Sequence, residues 1–79
     1  MLNDTEISDL ILRTLHSNGI TEASPRPVRD VITLTGLDVA DFARGIQVLR
    51  KYGYVSMYQT LDDPIGLTAE GQRVIGQGA

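Results

Sequence analysis

Three glycines limit where helices can end in this chain. Gly19, Gly36 and Gly53 each follow a segment whose apolar residues recur at helical spacing. Glycine adopts a left-handed backbone conformation at little cost, so it commonly stands just past the end of a helix. The pattern predicts helices at about 4–18, 27–35 and 38–52.

The first predicted helix has an apolar face and a recognisable start. Asn3, followed three residues later by Glu6, is typical of a capping box. Ile20, just beyond Gly19, is expected to pack back on Leu15. The apolar face consists of Ile7, Leu10, Ile11 and Leu15.

The second predicted helix follows a proline-rich segment. Residues 21–27, TEASPRP, hold two prolines, which exclude a long helix and favour extended geometry before each of them. We expect a linker or a short edge strand there, with Pro27 in the first turn of the helix. The side predicted to be buried consists of Val28, Val31, Ile32 and Leu34.

The third predicted helix is amphipathic along its length. Asp38 is a suitable N-cap. Asp41, three residues later, is placed so that it could fold back onto the backbone at the helix start. Apolar residues within roughly 60° of one direction form a single stripe, namely Val39, Phe42, Ile46 and Leu49. The opposite face consists of Ala40, Arg44, Gln47 and Lys51.

After Gly53 the pattern changes from helical to alternating. Residues 54–60, YVSMYQT, alternate as in a strand. The next four residues, LDDP, have the composition of a turn, and 65–68, IGLT, return as a second strand. Thr68 is a suitable cap for a last helix at about 68–76.

Together these elements predict one α+β domain over residues 1–79, mainly α with a small β-hairpin wing. A domain of 79 residues buries only roughly 60% of its unfolded surface, so its core is small. The predicted core consists of Leu10, Ile11, Leu15, Val31, Leu34, Phe42, Ile46, Leu49, Val55 and Leu67.

Charge narrows the functional classes. The net charge is −3, but residues 26–52 have a net charge of +2. An acidic total disfavours nucleic-acid binding, because phosphate neutralisation supplies most non-specific affinity, whereas the basic middle third favours it. No apolar run approaches the ~18 residues of a membrane span. The acidic N-terminus is unlike a signal peptide, so we expect a cytoplasmic protein.

The residue inventory argues against catalysis. The chain has one histidine and no cysteine. That leaves few ways to assemble a nucleophile with its base or a zinc site of nitrogen and sulfur ligands. The chain also lacks a phosphate-binding P-loop. We expect no enzyme activity, no metal and no cofactor.

Three short motifs and the order of elements suggest a family. The motifs are Gly36-Leu37-Asp38 between the second and third helices, Leu49, Gly53 and Val55 after the third, and Leu67, Thr68 and Gly71 before the fourth. Over essentially the whole chain this pattern resembles the winged helix-turn-helix of MarR- and PadR-like transcription regulators. The resemblance implies that helix 38–52 lies in the major groove of double-stranded DNA. It also implies a homodimer formed through the first and last helices.

The resemblance further implies which residues bind DNA. Arg44 and Gln47 would face bases, whereas Lys51 and the two arginines at the start of the second helix would contact phosphates. The full set is Arg26, Arg29, Ala40, Arg44, Gln47, Arg50 and Lys51. The simpler interpretation is that Arg44, Gln47 and Lys51 form a solvated helix face. Arg26 and Arg29 would then only add polar side chains beside the prolines or pair with Asp30.

A second function remains open from the residues. The same fold could be a protein–protein interaction module that does not bind DNA. Apolar Val39 and Ala40 in the third helix cannot donate hydrogen bonds to a base edge. Asp62 and Asp63 would be repelled at a minor groove. On the simplest interpretation these two acids form a soluble turn.

Overall fold

The computed structural model describes residues 3–77, which form four α-helices and one two-stranded antiparallel sheet. The helices are α1 (Asp4–Ser17), α2 (Val28–Thr35), α3 (Val39–Lys51) and α4 (Ala69–Gln77), and the strands are β1 (Arg26–Pro27) and β2 (Pro64–Ile65). The predicted class, mainly α with a small sheet, is confirmed.

Helix α1 begins and ends as its sequence predicts. The Glu6 amide donates to Asn3 Oδ1 at 2.8 Å, and the Asn3 amide donates to Glu6 Oε1 at 3.3 Å, which completes the capping box. Gly19 has φ 65°, and the Ile20 amide donates to the Leu15 carbonyl at 2.9 Å. This return of the chain buries both Ile20 and Leu15 in the core.

Helix α2 begins one residue later than predicted, because Pro27 is its N-cap rather than part of its first turn. Loop carbonyls from the distant 61–63 segment complete its start. The Val28 amide donates to the Asp63 carbonyl at 3.0 Å, and the Arg29 amide donates to the Leu61 carbonyl at 2.9 Å. These bonds satisfy donors that a helix N-terminus otherwise leaves without partners.

Helix α3 is capped by Asp38, whose carboxylate accepts from the Asp41 amide at 2.7 Å. The alternative in which Asp41 folds back onto its own backbone is not seen, since its carboxylate accepts from Arg44 Nη1 at 3.1 Å. Gly45 lets α3 pack closely on α1. A Cβ atom at residue 45 would lie 2.5 Å from Ile7 Cγ2.

The sheet differs from the predicted hairpin of residues 54–60 and 65–68. β2 pairs with β1, the edge strand suggested by the prolines, in the register Arg26↔Ile65. Residue Val55 forms only an isolated bridge with Leu67. The physical reason is the turn that follows, where the Asp63 carboxylate accepts from two loop amides and curls residues 59–63 instead of extending them.

Helix α4 begins after Thr68, whose hydroxyl accepts from the Gly71 amide at 3.2 Å, as its sequence predicts. Gly71 is buried where α4 crosses the preceding chain. A Cβ atom at residue 71 would lie 2.2 Å from the Tyr54 carbonyl oxygen. The third family-like motif therefore has a packing reason in this chain.

The core lies between the helices and under the sheet. Eight of the ten predicted core residues are buried, but Leu10 is partly exposed and Leu34 is 47% exposed. Both point away from the buried side. Leu34 lies roughly 120° around its helix from Val28. The predicted stripe residue Val39 is also exposed, at 56%. Core residues outside the predicted set are Ile7, Leu12, Ile20, Val28 and Ile65.

Candidate nucleic-acid interface

The α2–α3 pair presents one helix face to solvent. Three residues, Gly36 to Asp38, join the two helices, and Gly36 turns the chain with φ 73°. The buried side of α3 consists of Phe42, Gly45, Ile46 and Leu49. Its opposite face is exposed over the predicted positions Ala40, Arg44, Gln47 and Lys51.

Arg44 is exposed but occupied by two carboxylates. Its Nη2 and Nε atoms lie 2.7 Å and 3.1 Å from Asp4 Oδ1, and its Nη1 atom lies 3.1 Å from Asp41 Oδ1. The hydrogen bond with Asp4 is the largest cause of a raised Arg44 pKa. The guanidinium group is therefore directed towards the start of α1 and bonded to carboxylates of both α1 and α3.

The two arginines at the start of α2 are also paired. Arg26 Nη1 lies 3.8 Å from Asp30 Oδ2, as the simpler interpretation of this residue predicts. Arg29 pairs instead with Asp62, at 2.9 Å between Nη2 and Oδ1. The loop that contains Asp62 and Asp63, which we call the acidic loop, thus lies against the start of α2. This is where the family resemblance implies phosphate contacts.

The acidic loop has a structural role that its sequence interpretation missed. The Asp63 carboxylate accepts from the Gln59 and Thr60 amides at 2.8 Å and 3.0 Å. These hydrogen bonds hold the pKa of Asp63 below its ordinary value. An aspartate that bonds nearby backbone amides is common turn chemistry, so the local sequence contained this signal.

The cations at the C-terminal end of α3 differ from Arg26, Arg29 and Arg44 in their pairing. Within the described part of the chain, neither Arg50 nor Lys51 forms an ion pair. Together with Gln47 and Met57 they line a surface depression of 420 Å³. We call these four residues the α3-end surface. Met57, which sequence reasoning did not assign to the site, is 75% exposed.

Apolar side chains are exposed around the same helices. Leu34 and Val39 stand on either side of the α2–α3 turn, and Tyr52 at the end of α3 is 58% exposed. The ring of Tyr52 stacks on that of Tyr54 at 5.5 Å between centroids. Exposed apolar groups that lie close together are a feature of protein-binding surfaces.

A separate groove runs between α1 and α4. It has a volume of 470 Å³, and its lining includes Leu12, His16, Val74 and Ile75.

Among residues 3–77, no cluster of three His, Cys, Asp or Glu side chains could hold a metal ion. None of the helices described for this chain is long and apolar enough to cross a membrane.

Comparisons of the chain with protein-family models, with curated proteins and with solved structures gave no match. The features of the chain that bear on function are the exposed face of α3, the pairing of the charged side chains and the three short motifs. A fold permits many functions, so the geometry of the site has to decide between them.

Proposed function

We propose that this chain is a winged helix-turn-helix transcription regulator that binds double-stranded DNA in the cytoplasm. The observation that supports the proposal is the exposed face of α3. This helix follows α2 after a three-residue turn, buries one side against α1 and leaves Ala40, Gln47 and Lys51 in solvent. Such a helix fits the major groove of B-DNA, which is about 12 Å wide.

On this proposal, successive residues on the exposed face of α3 contact different parts of the DNA. Ala40 is small enough to let α3 approach the bases and can contact a thymine methyl group. Gln47 has an amide that can bond an adenine edge in two places. Lys51, one turn further on, meets the phosphate backbone. Arg44 also contacts a base, after its ion pair with Asp4 is broken. This exchange costs little, because exposed ion pairs of this kind add little stability.

The proposed wing is the segment between Val55 and Leu67, which leaves the core and returns through a bridge between these residues. Its acidic part, Asp62 and Asp63, is turned to the start of α2. We therefore propose that the wing contacts DNA through the side bearing Met57 and not through its acidic turn.

One α3 covers only a half-site, so we propose that the chain acts as a homodimer. The groove between α1 and α4, lined by Leu12, Val74 and Ile75, supports this proposal as the contact surface. The apolar groups there would be removed from water on pairing, which favours association.

The proposal is tested by fluorescence anisotropy with random-sequence duplex DNA, followed by selection of preferred sequences from a duplex library. We expect binding at low salt and a preferred half-site. Gln47→Ala should relax the preference at one base pair, at a cost of about 1–3 kcal/mol. Gln72→Ala, a change at an exposed glutamine of α4, is the matched control. Absence of binding at low salt would contradict DNA binding.

A second candidate function is a protein–protein interaction module. It is favoured by the exposed Leu34 and Val39, at 47% and 56%, on either side of the α2–α3 turn. If DNA binding is absent, this corner becomes the surface to test. Leu34→Asp should then abolish partner binding while the far-UV circular dichroism of the chain is unchanged.

A further inference from the structure

The positive charge of this chain is largely neutralised from within. The chain has seven Lys and Arg residues, and most of them form ion pairs with the chain's own carboxylates. The paired residues are Arg13, Arg26, Arg29, Arg44 and Arg73. Within the described part of the chain, Arg50 and Lys51 remain, and they are adjacent in sequence.

The start of α2 is closed to an incoming anion in two ways. Its Val28 and Arg29 amides already donate to the carbonyls of Asp63 and Leu61. The Arg29 side chain lies 2.9 Å from the Asp62 carboxylate. Backbone amides and a cation at a helix start would normally form an anion site, but here the acidic loop has taken the place of the anion.

The α3-end surface is open by comparison. Arg50 and Lys51 share their depression with Gln47 and Met57. Gln47 lies one helical turn before Lys51 on the exposed face, so a side chain able to contact bases adjoins the two cations. This continuity favours a duplex over an isolated acidic peptide as the occupant.

From this pattern we infer that phosphate contacts are confined to Arg50 and Lys51 at the α3-end surface, and that Arg26 and Arg29 make none. The inference rests on the proposed function and specifies where the DNA backbone is held. Two contacts predict that log Kobs falls with log salt at a slope of about −1.8 per bound protomer, whereas four contacts, with Arg26 and Arg29 included, would give about −3.6.

The two slopes are easily separated by experiment. For each bound protomer, raising the salt concentration fourfold should weaken binding about 12-fold with two phosphate contacts, and about 150-fold with four. The measurement is anisotropy of a labelled random-sequence duplex with the full chain over a salt series. Circular dichroism of each variant checks that it is folded.

Single variants assign the slope to residues. Arg50→Ala and Lys51→Ala should each reduce this per-protomer slope by about one, whereas Arg26→Ala and Arg29→Ala should leave it unchanged. Arg73→Ala removes the same charge from a pair on α4 with Glu70, outside the lining of the groove between α1 and α4, and is the matched control. Asp62→Asn should release Arg29 and make the slope steeper by about one.

The experiment distinguishes failure of the proposed function from failure of the inference about phosphate contacts. If the parent chain binds no duplex at low salt, the proposed function fails and the inference fails with it. If the parent binds with a slope near −3.6 per bound protomer, or if Arg26→Ala and Arg29→Ala reduce the slope as much as Arg50→Ala, the function stands and the inference is overturned. Tighter binding of poly-glutamate than of duplex through Arg50 and Lys51 would also overturn it, in favour of an acidic protein partner.

Discussion

Gly66 shows how a single residue sets the distance between two segments. It is buried, and a Cβ atom there would lie 2.2 Å from the Thr21 carbonyl oxygen and 2.8 Å from the Glu22 amide nitrogen. Both atoms belong to the backbone, so neither can move aside alone. The Leu67 amide and carbonyl continue this contact by bonding Ile20 and Glu22.

We predict that Gly66→Ala lowers the free energy of unfolding by about 3 kcal/mol, the upper part of the usual range for overpacking. Gly19→Ala is the control. It has φ 65° with no atom within 4 Å of the added carbon, so it loses only about 1–2 kcal/mol from backbone strain. Urea unfolding measures both. An equal loss in the two variants would show that the close approach is unimportant.

The charge of the Asp63 carboxylate makes the stability of the acidic loop depend on pH. Its folded pKa lies below the ordinary value of 3.8, because the Gln59 and Thr60 amides bond the charged carboxylate. A group with a lowered folded pKa adds stability above its unfolded pKa, and this stability is lost as the pH falls through the folded value. The loop should therefore loosen below about pH 4.

We predict that Asp63→Asn destabilises the chain at pH 7 and reduces the fall in stability between pH 5 and pH 2.5. The variant has no carboxylate left to protonate at this position. Glu22→Gln makes the same change in net charge at an exposed side chain and is the control. Urea unfolding at several pH values measures the effect. If both variants change the pH dependence alike, the Asp63 cap is not its cause.

Among the elements, α3 depends most on a single capping side chain. Asp38 stands directly after the α2–α3 turn, and its carboxylate accepts from the Asp41 amide at 2.7 Å. The remaining residues of the first turn offer little to replace it, since Val39 and Ala40 are apolar. The orientation of the exposed face of α3 relies on this start.

We predict that Asp38→Ala lowers the free energy of unfolding by about 1 kcal/mol, the usual effect of losing an N-cap. Asp38→Ser should lose much less, because a serine hydroxyl can accept from the same amide. Thermal unfolding distinguishes them. If the serine variant is as unstable as the alanine variant, the carboxylate acts through something other than capping.

Charge pairing is the feature that describes the whole molecule best. Residues 26–52 do have a net positive charge. In the fold, however, two of their arginines form ion pairs with carboxylates of other elements. Arg44 pairs with Asp4 of α1 and Arg29 with Asp62 of the loop. A count of charges along a segment therefore overstates the positive potential that a partner would meet.

At the same scale we predict that the chain self-associates. The sedimentation coefficient should rise with protein concentration, and Val74→Asp should hold the chain as a monomer, because a charge in the groove between α1 and α4 opposes burial. Leu34→Asp places the same charge on α2 and should leave association unchanged. A sedimentation coefficient that is independent of concentration in the parent chain would contradict the homodimer.

The helices, three of their capping side chains and most of the core could be predicted from the local residues. Asn3, Asp38 and Thr68 bond amides three residues away, and Gly19 and Gly36 end helices through bonds within five residues. Interactions of such short range depend on little besides the local residues. The apolar periodicity likewise placed Phe42, Ile46 and Leu49 inside.

Which distant groups meet depends on how the helices pack, and the local residues do not specify this. The pairing of β1 with β2, and the exposure of Leu34, follow from how the helices pack. So does the contact between Arg44 and Asp4, which lie 40 residues apart. A charged side chain on the surface has several possible partners of nearly equal energy, and packing chooses among them by position. For this reason the sequence could name the cations of the candidate site, but only the fold showed that Arg50 and Lys51 form no ion pair in the described part of the chain.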